Sequence, residues 1–525
     1  MSDDWVQELS VEEEAVLRLC KKQPLWRFLR EQRTALFNEP VKASLVAMYS
    51  DSPRGRPPKN VEQKALAMLL QVAFSAPDHE VPTLTAVDKR WQVVLGCLGD
   101  SGTLLSQGTV HDFRTRAISA GFASVLLERT VALAREKKGF SHTRLRALID
   151  SSPLLGAGRV EDTFNLIGRG ISHLAKTAAA ELDKSVEEVI DEAGVPLVSH
   201  SSVKAWLDFD WSDKPARADA LQQLIGQFEA LCNWLESTLG AQEMKKPPIG
   251  EHIAQVERLM EQDLEPDPND PSGTRRQVRR GTTKNRQISL SDGDMRHGRK
   301  SKTKAFNGYK RHVVVDADIP GLVHATEVVA ANVPEHEPLA RLLRSVEAAG
   351  AELVEVQVDR GYIPSADLMA RRRAGLRVLS KAPTLRNGEL FTKNDFTVDL
   401  DNGTITCPAG STVKAKGTKT GVTTFPAATC AACSKRGQCT TSNKGRSIRL
   451  HPEEAFHQQL RAELATSKGR QSARERVQVE HALARVGQIQ GRRARFKGLK
   501  KNQFDLQRTA IINNCYVLMP LMAAA

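Results

Sequence analysis

Residues 145–150 read Leu-Arg-Ala-Leu-Ile-Asp, a mostly apolar run that ends in a carboxylate. A run of this length, bounded by polar residues, favours a buried strand. A second apolar run, residues 353–358, is followed by Asp359, and the next three residues, Arg-Gly-Tyr at 360–362, predict a turn. The two runs therefore predict two buried strands, each of which carries an aspartate at its end.

A third carboxylate, Glu480, lies on a long predicted helix, one turn after Arg476. A divalent cation such as Mg²⁺ needs hard oxygen ligands, and strand ends and a helix face hold such ligands rigidly. Two cations of this kind can clamp the attacking and leaving oxygens of a phosphodiester exchange. We therefore predict that Asp150, Asp359 and Glu480 are catalytic residues that bind Mg²⁺ or Mn²⁺.

Each of these residues also has an ordinary structural interpretation. An aspartate at a strand end is usually a turn former or a helix cap, and a glutamate four residues after an arginine usually forms a surface ion pair. Only the joint pattern favours a metal site. Asp292 and Asp294 are rival ligands, but no further oxygen ligands follow at the spacing of a calcium loop, which favours a turn.

Four stretches together resemble the DDE transposases of bacterial insertion sequences. The resemblance runs from about Pro40 to Tyr516 and rests on the order, contexts and intervals of these stretches. Many relatives have a tyrosine before the arginine and a lysine two turns after the glutamate, whereas this chain has Gly487 at that second position and Arg485 as the nearest basic residue. The stretches are Ala-Leu-Ile-Asp-Ser-Ser-Pro at 147–153, Phe-Asn-Gly-Tyr-Lys-Arg-His at 306–312, Val-Asp-Arg-Gly-Tyr at 358–362 and Arg-Val-Gln-Val-Glu at 476–480.

The resemblance implies an α/β ribonuclease-H-like catalytic core in which Asp150, Asp359 and Glu480 hold two Mg²⁺ ions. It implies a transposase that binds the ends of a mobile element, hydrolyses DNA strands there and transfers the freed 3′-hydroxyl into target DNA. No covalent protein–DNA intermediate is needed, so no nucleophilic serine or tyrosine is assigned. Arg476 is placed to orient Glu480 or to hold a phosphate. Joining two element ends favours a homodimer on double-stranded DNA.

Two other functions remain open at this point. The chain could be a DNA-binding regulator that descends from such an enzyme and has lost the chemistry, although the intact trio of carboxylates argues against this. It could also be a metal-dependent nuclease that cuts DNA without joining it. The sequence does not separate cutting from joining, because both reactions use the same metal site.

The charge of the chain predicts a nucleic-acid partner. Its 525 residues carry a formal net charge of +13, with a pI near 9.4, and a basic protein of this kind usually binds an anionic polymer. Residues 275–311 contain thirteen Lys and Arg residues against two aspartates, and residues 485–501 contain seven with no acid. A solvated basic loop is the alternative interpretation of each stretch. The predicted DNA-binding residues are Arg54, Arg56, Arg299, Lys300, Lys302, Lys304, Lys310, Arg311, Arg476, Arg492, Arg493, Arg495 and Lys497.

Arg54 and Arg56 belong to an Arg-Gly-Arg-Pro segment that resembles the core of an AT-hook, in which arginines enter a narrow minor groove. A stiff linker before the helix predicted to start near Asn60 is the other interpretation. In either case, a helical region before a DDE core commonly recognises element ends in the family that the chain resembles.

The pattern of apolar residues divides the chain into six parts. Helical periodicity dominates the first of them, strands alternate with helices in the predicted core, and two insertions interrupt that core. Within the core, residues 313–315 are predicted to form a strand and residues 335–349 a helix, and the order of strands and helices is the one that DDE enzymes share. The parts are an all-α N-terminal DNA-binding domain (1–137), the first core strand (138–170), a helical insertion (171–284), the middle core strands and helices (285–384), a cysteine-rich insertion (385–450) and the C-terminal core helices (451–525).

The cysteine-rich insertion holds Cys407, Cys430, Cys433 and Cys439 within 33 residues. Four clustered cysteines in an intracellular protein suggest a tetrahedral Zn²⁺ site, and a metal would help a segment with little apolar material to fold. Reduced free thiols are the alternative.

The first residues of the chain are acidic and lack the apolar core of a signal peptide, and no apolar run approaches membrane-spanning length. We therefore expect a soluble protein without membrane contact, located in the cytoplasm and associated with the nucleoid.

Overall fold

A computed structural model describes residues 8–49, 60–100, 102–137, 144–416 and 421–523. In its first part, apolar residues at helical spacing form amphipathic helices, and the largest side chains, such as Trp26 and Trp91, are buried between them. Ser10 and Glu13 form a capping box that fixes the start of the first helix. The helices are α1 (Val11–Leu19), α2 (Leu25–Leu36), α3 (Glu39–Val46), α4 (Val61–Ala73), α5 (Val81–Val87), α6 (Lys89–Leu95), α7 (Gln107–Ser119) and α8 (Phe122–Lys137).

A six-stranded sheet follows, and the strand β1 lies in its middle. The strands pair in the order β4-β5-β1-β7-β8, and β6 pairs with β5 as well. β1 is antiparallel to β5 and parallel to β7, which is itself parallel to β8. The first eight strands of the chain, two of which form a separate hairpin, are β1 (Arg144–Leu155), β2 (Leu264–Pro266), β3 (Arg276–Val278), β4 (Arg296–Arg299), β5 (Ala305–Asp316), β6 (Val323–Ala330), β7 (Glu352–Gln357) and β8 (Arg377–Leu379).

β1 does not end at Asp150, as the sequence predicted, but continues to Leu155. Its pairing with β7 stops at Leu148, while its pairing with β5 goes on to Leu155. The edge of β1 that faced β7 is therefore without a strand partner between Leu148 and Leu155, where Leu155 bridges to Arg493. Pro153 is tolerated in this interval because a proline can occupy a strand that has a free edge. Asp150 thus lies within a strand, at the point where its parallel neighbour has ended.

Other predicted elements are shifted by a few residues. The strand predicted at 313–315 is the end of the longer β5, and the helix predicted at 335–349 begins only at Leu339. Pro338 is the N-cap of that helix, and the residues before it form turns. The helices of this part are α14 (Leu339–Ala348), between β6 and β7, and α15 (Ala366–Arg373), between β7 and β8.

Residues between β1 and β4 form helices with an apolar core of their own. That core extends from Phe164 to Leu264 and includes Leu224, Leu231 and Val256, which are fully buried. The helices are α9 (Thr163–Glu181), α10 (Val186–Ala193), α11 (Val203–Trp206), α12 (Lys214–Leu239) and α13 (Ile249–Asp263).

The cysteine-bearing segment consists of short strands and two short helices. A small core around Phe396, Ile405 and Phe425 holds it together. Its elements are β9 (Thr397–Asp399), β10 (Thr404–Thr406), β11 (Thr412–Lys414), β12 (Val422–Thr424), α16 (Ala427–Ala431), α17 (Arg436–Cys439) and β13 (Ser447–Arg449).

Four helices complete the chain. The last of them packs against α4, α8, α20 and β6, so that it joins the N-terminal helices to the sheet. No single described helix is long and apolar enough to cross a membrane, although α7 and α8 together, bent by 75°, pass by length and composition alone. The helices are α18 (Glu454–Ala465), α19 (Ser467–Glu475), α20 (Val477–Gln490) and α21 (Leu499–Ala523).

Candidate active site

Asp150 is positioned by β1, which lies between β5 and β7 in the middle of the sheet. Leu148 and Ile149 before it are fully buried, and its neighbour across the antiparallel pair is Val313. Burial raises the pKa of the Asp150 carboxyl to about 6; Arg476 opposes this shift, and the negative charges of Asp359 and Glu335 add to it. A carboxylate held in this environment gains stability when a positive charge comes close to it.

Asp359 follows β7, which runs parallel to β1. The carboxyl ends of parallel neighbours meet at one edge of a sheet, so Asp359 and Asp150 come together there. The Val358 amide donates to the Leu379 carbonyl and holds the end of β7 against β8, and residues 360–362 form a short 3-10 turn. The Asp359 side chain is half exposed, which leaves it accessible from solvent.

Glu480 reaches the same place from a helix. Val479, Ala482 and Leu483 on one face of α20 are buried in the core, whereas Glu480 is exposed on another face. Asp150, Asp359 and Glu480 line one cavity of about 460 Å³. The structure therefore brings the three predicted catalytic residues together, although 330 positions separate the first from the last.

Arg476 contacts the two aspartates. Its Nη2 lies 3.3 Å from Asp150 Oδ2 and 3.3 Å from Asp359 Oδ1. The sequence suggested that Arg476 would orient Glu480 or hold a phosphate, whereas here its guanidinium contacts Asp150 within β1 and Asp359 after β7. The preceding residue, Glu475, accepts from Arg146 on β1 and from Gln357 on β7, which fixes the junction of α19 and α20 against the sheet.

Glu335 is a fourth carboxylate of this cavity, and the sequence analysis did not identify it. It lies in the turns between β6 and α14, where it accepts a 2.9 Å hydrogen bond from Ser151 Oγ. The sequence placed Glu335 at the start of a helix, so it read as an ordinary first-turn acid. In the sequence, Glu335 lies far from both aspartate motifs. Their separation along the chain does not indicate a contact, which follows only from the fold of the sheet.

The donor set of this cavity suits a hard divalent cation, because carboxylate oxygens are the ligands that Mg²⁺ and Mn²⁺ prefer. The side chains of the described residues nevertheless form no group of three or more His, Cys, Asp or Glu arranged to hold a metal ion. Arg476 offers the physical reason at the aspartates, since it places a positive charge between Asp150 and Asp359. The carboxylates therefore have the chemistry that a divalent cation requires. The positive charge beside Asp150 and Asp359 in this structure is that of Arg476.

Three basic residues line the same cavity as the carboxylates. They are Arg299, Lys300 and Lys310, and Lys302 and Lys304 are exposed in the connection from β4 to β5. Lys310 donates to the Val333 carbonyl at 2.9 Å. Predicted DNA contacts and predicted catalytic residues thus lie side by side here.

Arg311, in contrast, faces the interior. It is 5% exposed, and it donates to Ser152 Oγ at 2.8 Å and to the Gln490 side chain at 2.9 Å. A Cβ atom at Gly487 would lie 3.0 Å from Arg311 Nη2. Gly487 is the position at which many of the DDE transposases that the chain resembles carry a lysine. Here the guanidinium of Arg311, on β5, fills the space beside this glycine.

The other predicted DNA-binding residues lie in three settings. Arg492 and Lys497 are exposed in the connection between α20 and α21. Arg493 donates to the Gly156 carbonyl and Arg495 to Ser75 Oγ. Arg54 and Arg56 lie outside the described residues.

The four predicted zinc ligands converge on one cavity. Cys407, Cys430, Cys433 and Cys439 line a space of about 280 Å³. Burial raises the pKa of the Cys439 thiol, Arg446 opposes this, and the other three thiols raise it further. Their sulphur atoms are not arranged as a ligating group within the part of the chain that the structure describes, so the structure does not show a zinc site.

The rivals Asp292 and Asp294 have structural partners. Tyr309 donates its hydroxyl to Asp292, and the Gly498 amide donates to the same carboxylate at 3.1 Å. Asp294 accepts from the Leu499 amide at 2.8 Å. Both aspartates therefore anchor the start of α21, where an acidic side chain also meets the positive end of the helix dipole.

The comparisons with known proteins agree with this geometry over one part of the chain. No curated protein and no solved structure matches it. Residues 406–519 match a family model that is described as a transposase DDE domain, and this range contains Arg476 and Glu480. Such a domain implies a ribonuclease-H-like core and a DNA substrate. The family match thus supports a DDE transposase, over a range that holds the third of the three carboxylates.

Proposed function

We propose that this protein is the transposase of an insertion sequence. It binds the ends of the element, hydrolyses DNA strands there and transfers the freed 3′-hydroxyl ends into target DNA. The observation that carries the proposal is the meeting of Asp150, Asp359 and Glu480 in one cavity lined by Arg299, Lys300 and Lys310. The match of residues 406–519 to a transposase DDE domain supports it independently.

In the proposed reaction Asp150, Asp359 and Glu480 hold divalent cations, Mg²⁺ or Mn²⁺. Bound there, the cations would lower the pKa of the attacking water or 3′-hydroxyl and would stabilise the negative charge on the leaving oxygen. The chain itself supplies rigid positions, because Asp150 lies within β1, Asp359 follows the end of β7 and Glu480 lies on a packed helix. Arg476 holds the two aspartates at a fixed distance from each other before the cations arrive.

The DNA backbone would lie across the basic residues at the mouth of the cavity. Lys300 is exposed and lines the cavity, and Lys302 and Lys304 are exposed in the connection from β4 to β5 that follows it. Because lysine and arginine neutralise phosphates and release counterions, this binding should depend steeply on salt. Two element ends must meet in one complex for joining, so we propose a homodimer on double-stranded DNA.

A structural Zn²⁺ in the cysteine-bearing segment is a further part of the proposal. The convergence of four thiols on one small cavity supports it, and ligands that come together only when the metal binds are common in small metal-dependent folds. Zinc content measured by mass spectrometry should be about one per chain and should fall in Cys433→Ser, with Cys20→Ser as the control. Zinc-free protein at full stability would refute this part.

The deciding experiment compares wild type, Asp359→Ala and the control Asp401→Ala on DNA that carries the ends of the flanking element. Asp401 is exposed in the cysteine-bearing segment. We expect cleavage and joining that require Mg²⁺, are abolished by EDTA and by Asp359→Ala, and persist in the control. DNA binding should be retained in all three proteins. Equal activity of Asp359→Ala would remove Asp359 from the site.

The contacts of Arg476 with both aspartates favour one other candidate, a DNA-binding regulator that has lost the chemistry. In that case the wild type would bind the ends tightly but would not cleave them, whichever divalent metal is supplied. A third outcome, cleavage without a labelled 3′-end becoming joined to a second DNA molecule, would identify a metal-dependent nuclease.

A further inference from the structure

Glu335 shares the cavity of the three predicted catalytic carboxylates, and the DDE pattern does not include it. We propose that Glu335 is a fourth functional carboxylate of this site, whose negative charge strengthens the binding of divalent cations. The proposal rests on the cation site in the proposed function and adds a residue to it. Three independent features of the structure support it.

The first feature is the hydrogen bond that holds Glu335 beside Asp150. Ser151 Oγ donates to Glu335 Oε1 at 2.9 Å, and Ser151 is the residue after Asp150 in β1. Tyr362, fully buried, also interacts with Ser151 and is fixed in turn by a 2.7 Å hydrogen bond with His312 Nδ1. The carboxylate of Glu335 is therefore held in one place by a side chain of the strand that carries the first catalytic aspartate.

The second feature is the space above Gly361, two residues after Asp359. A Cβ atom at Gly361 would lie 2.0 Å from Glu335 Oε2, which is far closer than a carbon and an oxygen that are not bonded to each other can approach. The backbone of Gly361 does not have a positive φ, so its conformation does not demand glycine. The absence of a side chain there instead makes room for the Glu335 carboxylate, which thus touches the segments that follow both aspartates.

The third feature is the balance of charge. Glu335 lies close enough to Asp150 to act on it electrostatically, in the same direction as Asp359, and it also acts on Lys310. A fourth carboxylate beside a pair that already repel each other costs stability in the absence of a cation. Such an arrangement is expected where a cation of high charge density offsets the repulsion.

Titration with Mn²⁺ followed by calorimetry tests the proposal without DNA. Glu335→Gln keeps the size of the side chain and an oxygen that accepts from Ser151, and it removes only the charge. We expect it to weaken Mn²⁺ binding at least about tenfold. Gly361→Ala, which pushes the Glu335 carboxylate aside, should weaken it in the same direction. The matched control is Glu337→Gln, since Glu337 is exposed and lines a different cavity.

Unchanged Mn²⁺ affinity in Glu335→Gln would overturn the proposal. Thermal unfolding of each variant without metal shows whether the variant is folded. The cation-free Glu335→Gln variant should be at least as stable as wild type, because it lacks one of the carboxylate charges that repel each other. No Mn²⁺ binding by wild type would overturn the cation site altogether. Failure of the wild type to join DNA, with Mn²⁺ affinity that still depends on Glu335, would refute the transposase and leave this inference standing.

Discussion

Arg476 Nη2 lies 3.3 Å from Oδ2 of Asp150, a contact that spans 326 positions of the chain. The same nitrogen is 3.3 Å from Oδ1 of Asp359, and the Arg476 side chain is only 11% exposed. One guanidinium thus offsets the repulsion between Asp150 within β1 and Asp359 after β7. A divalent cation bound between the aspartates would perform the same electrostatic task, so Arg476 and the cation should partly substitute for each other in stability.

Replacement of Arg476 by alanine should destabilise the cation-free protein by about 1–3 kcal/mol, because a charge-assisted hydrogen bond to Asp150 and an ion pair with Asp359 are lost. Saturating Mg²⁺ should recover part of this loss, since the cation then offsets the charge of both aspartates. Urea unfolding with and without Mg²⁺ measures the difference. Arg474→Ala is the control, because Arg474 is exposed and lies two residues earlier in the chain. The same loss of stability in both conditions would contradict the substitution of one charge for the other.

The raised pKa of Asp150 predicts how stability depends on pH. Its folded-state value of about 6 lies above the ordinary 3.8, so the folded chain binds a proton more tightly than the unfolded chain does. The resulting stability is complete below pH 3.8 and is lost as the pH rises through about 6. At pH 8 without metal, Asp150→Asn should therefore be more stable than wild type, by up to about 3 kcal/mol.

The measurement for Asp150 is the free energy of unfolding of both proteins from pH 4 to pH 8 in EDTA. The advantage of Asp150→Asn should be smallest near pH 4 and should grow between pH 4 and pH 7. A difference that stays constant over this range would show that the folded structure does not perturb the Asp150 carboxyl. Added Mg²⁺ should reverse the order at pH 8, because only the carboxylate binds the cation well.

Sequence patterns located the strands that carry the site because both contain a short apolar run that an aspartate follows. They did not locate the end of β1, because Asp-Ser-Ser-Pro at 150–153 interrupts the apolar pattern, and the pairing with β5 keeps these residues extended. The side chains of Asp150, Asp359 and Glu480 could be grouped in advance because a familiar pattern orders them. Their common cavity itself depends on the parallel pairing of β1 and β7.

Glu335 and Arg311 could not be assigned from the sequence, because their roles follow from contacts with distant residues. Glu335 meets Ser151 across 184 positions, and Arg311 meets Gln490 across 179. The basic stretch that contains Arg311 suggested DNA contact for all its members. Burial separates Arg311 from Lys302 and Lys304, which are exposed, and burial at one position of β5 depends on which face α20 covers.

The exposed lysines in the connection from β4 to β5 should contribute to DNA binding through phosphate contacts. We expect Lys302→Gln and Lys304→Gln each to weaken binding to all duplex sequences alike and to reduce the slope of log affinity against log salt by about 1. Fluorescence anisotropy at several KCl concentrations measures the slope. Lys245→Gln, exposed in the helical insertion, should leave it unchanged. An equal slope for all four proteins would place the DNA elsewhere.

A buried polar network connects the N-terminal helices to the strand of Asp150. Asp505 on α21 is fully buried; it accepts from Arg508 at 2.9 Å and from Gln490 at 3.2 Å. Gln490 accepts from Arg311, which reaches Ser152 on β1. On the other side, Arg508 donates to Gln71 and to the Met68 carbonyl of α4. The network therefore links the packing of the N-terminal helices to the position of β1.

Asp505→Asn should be the most destabilising of the substitutions considered, because it leaves the Arg508 guanidinium buried without a carboxylate. Burial already lowers the pKa of Arg508 to about 10, and the Asp505 charge opposes that shift. Loss of one partner from a buried pair costs about 3–5 kcal/mol, whereas Lys501→Ala, exposed on the same helix, should cost little. The double variant Asp505→Leu with Arg508→Met should recover part of the loss, since an apolar pair leaves no buried charge. Urea unfolding of the four proteins distinguishes these cases: if Asp505→Asn unfolds at the same urea concentration as wild type, the pair carries no net energy and the N-terminal helices are held to the core by apolar packing alone.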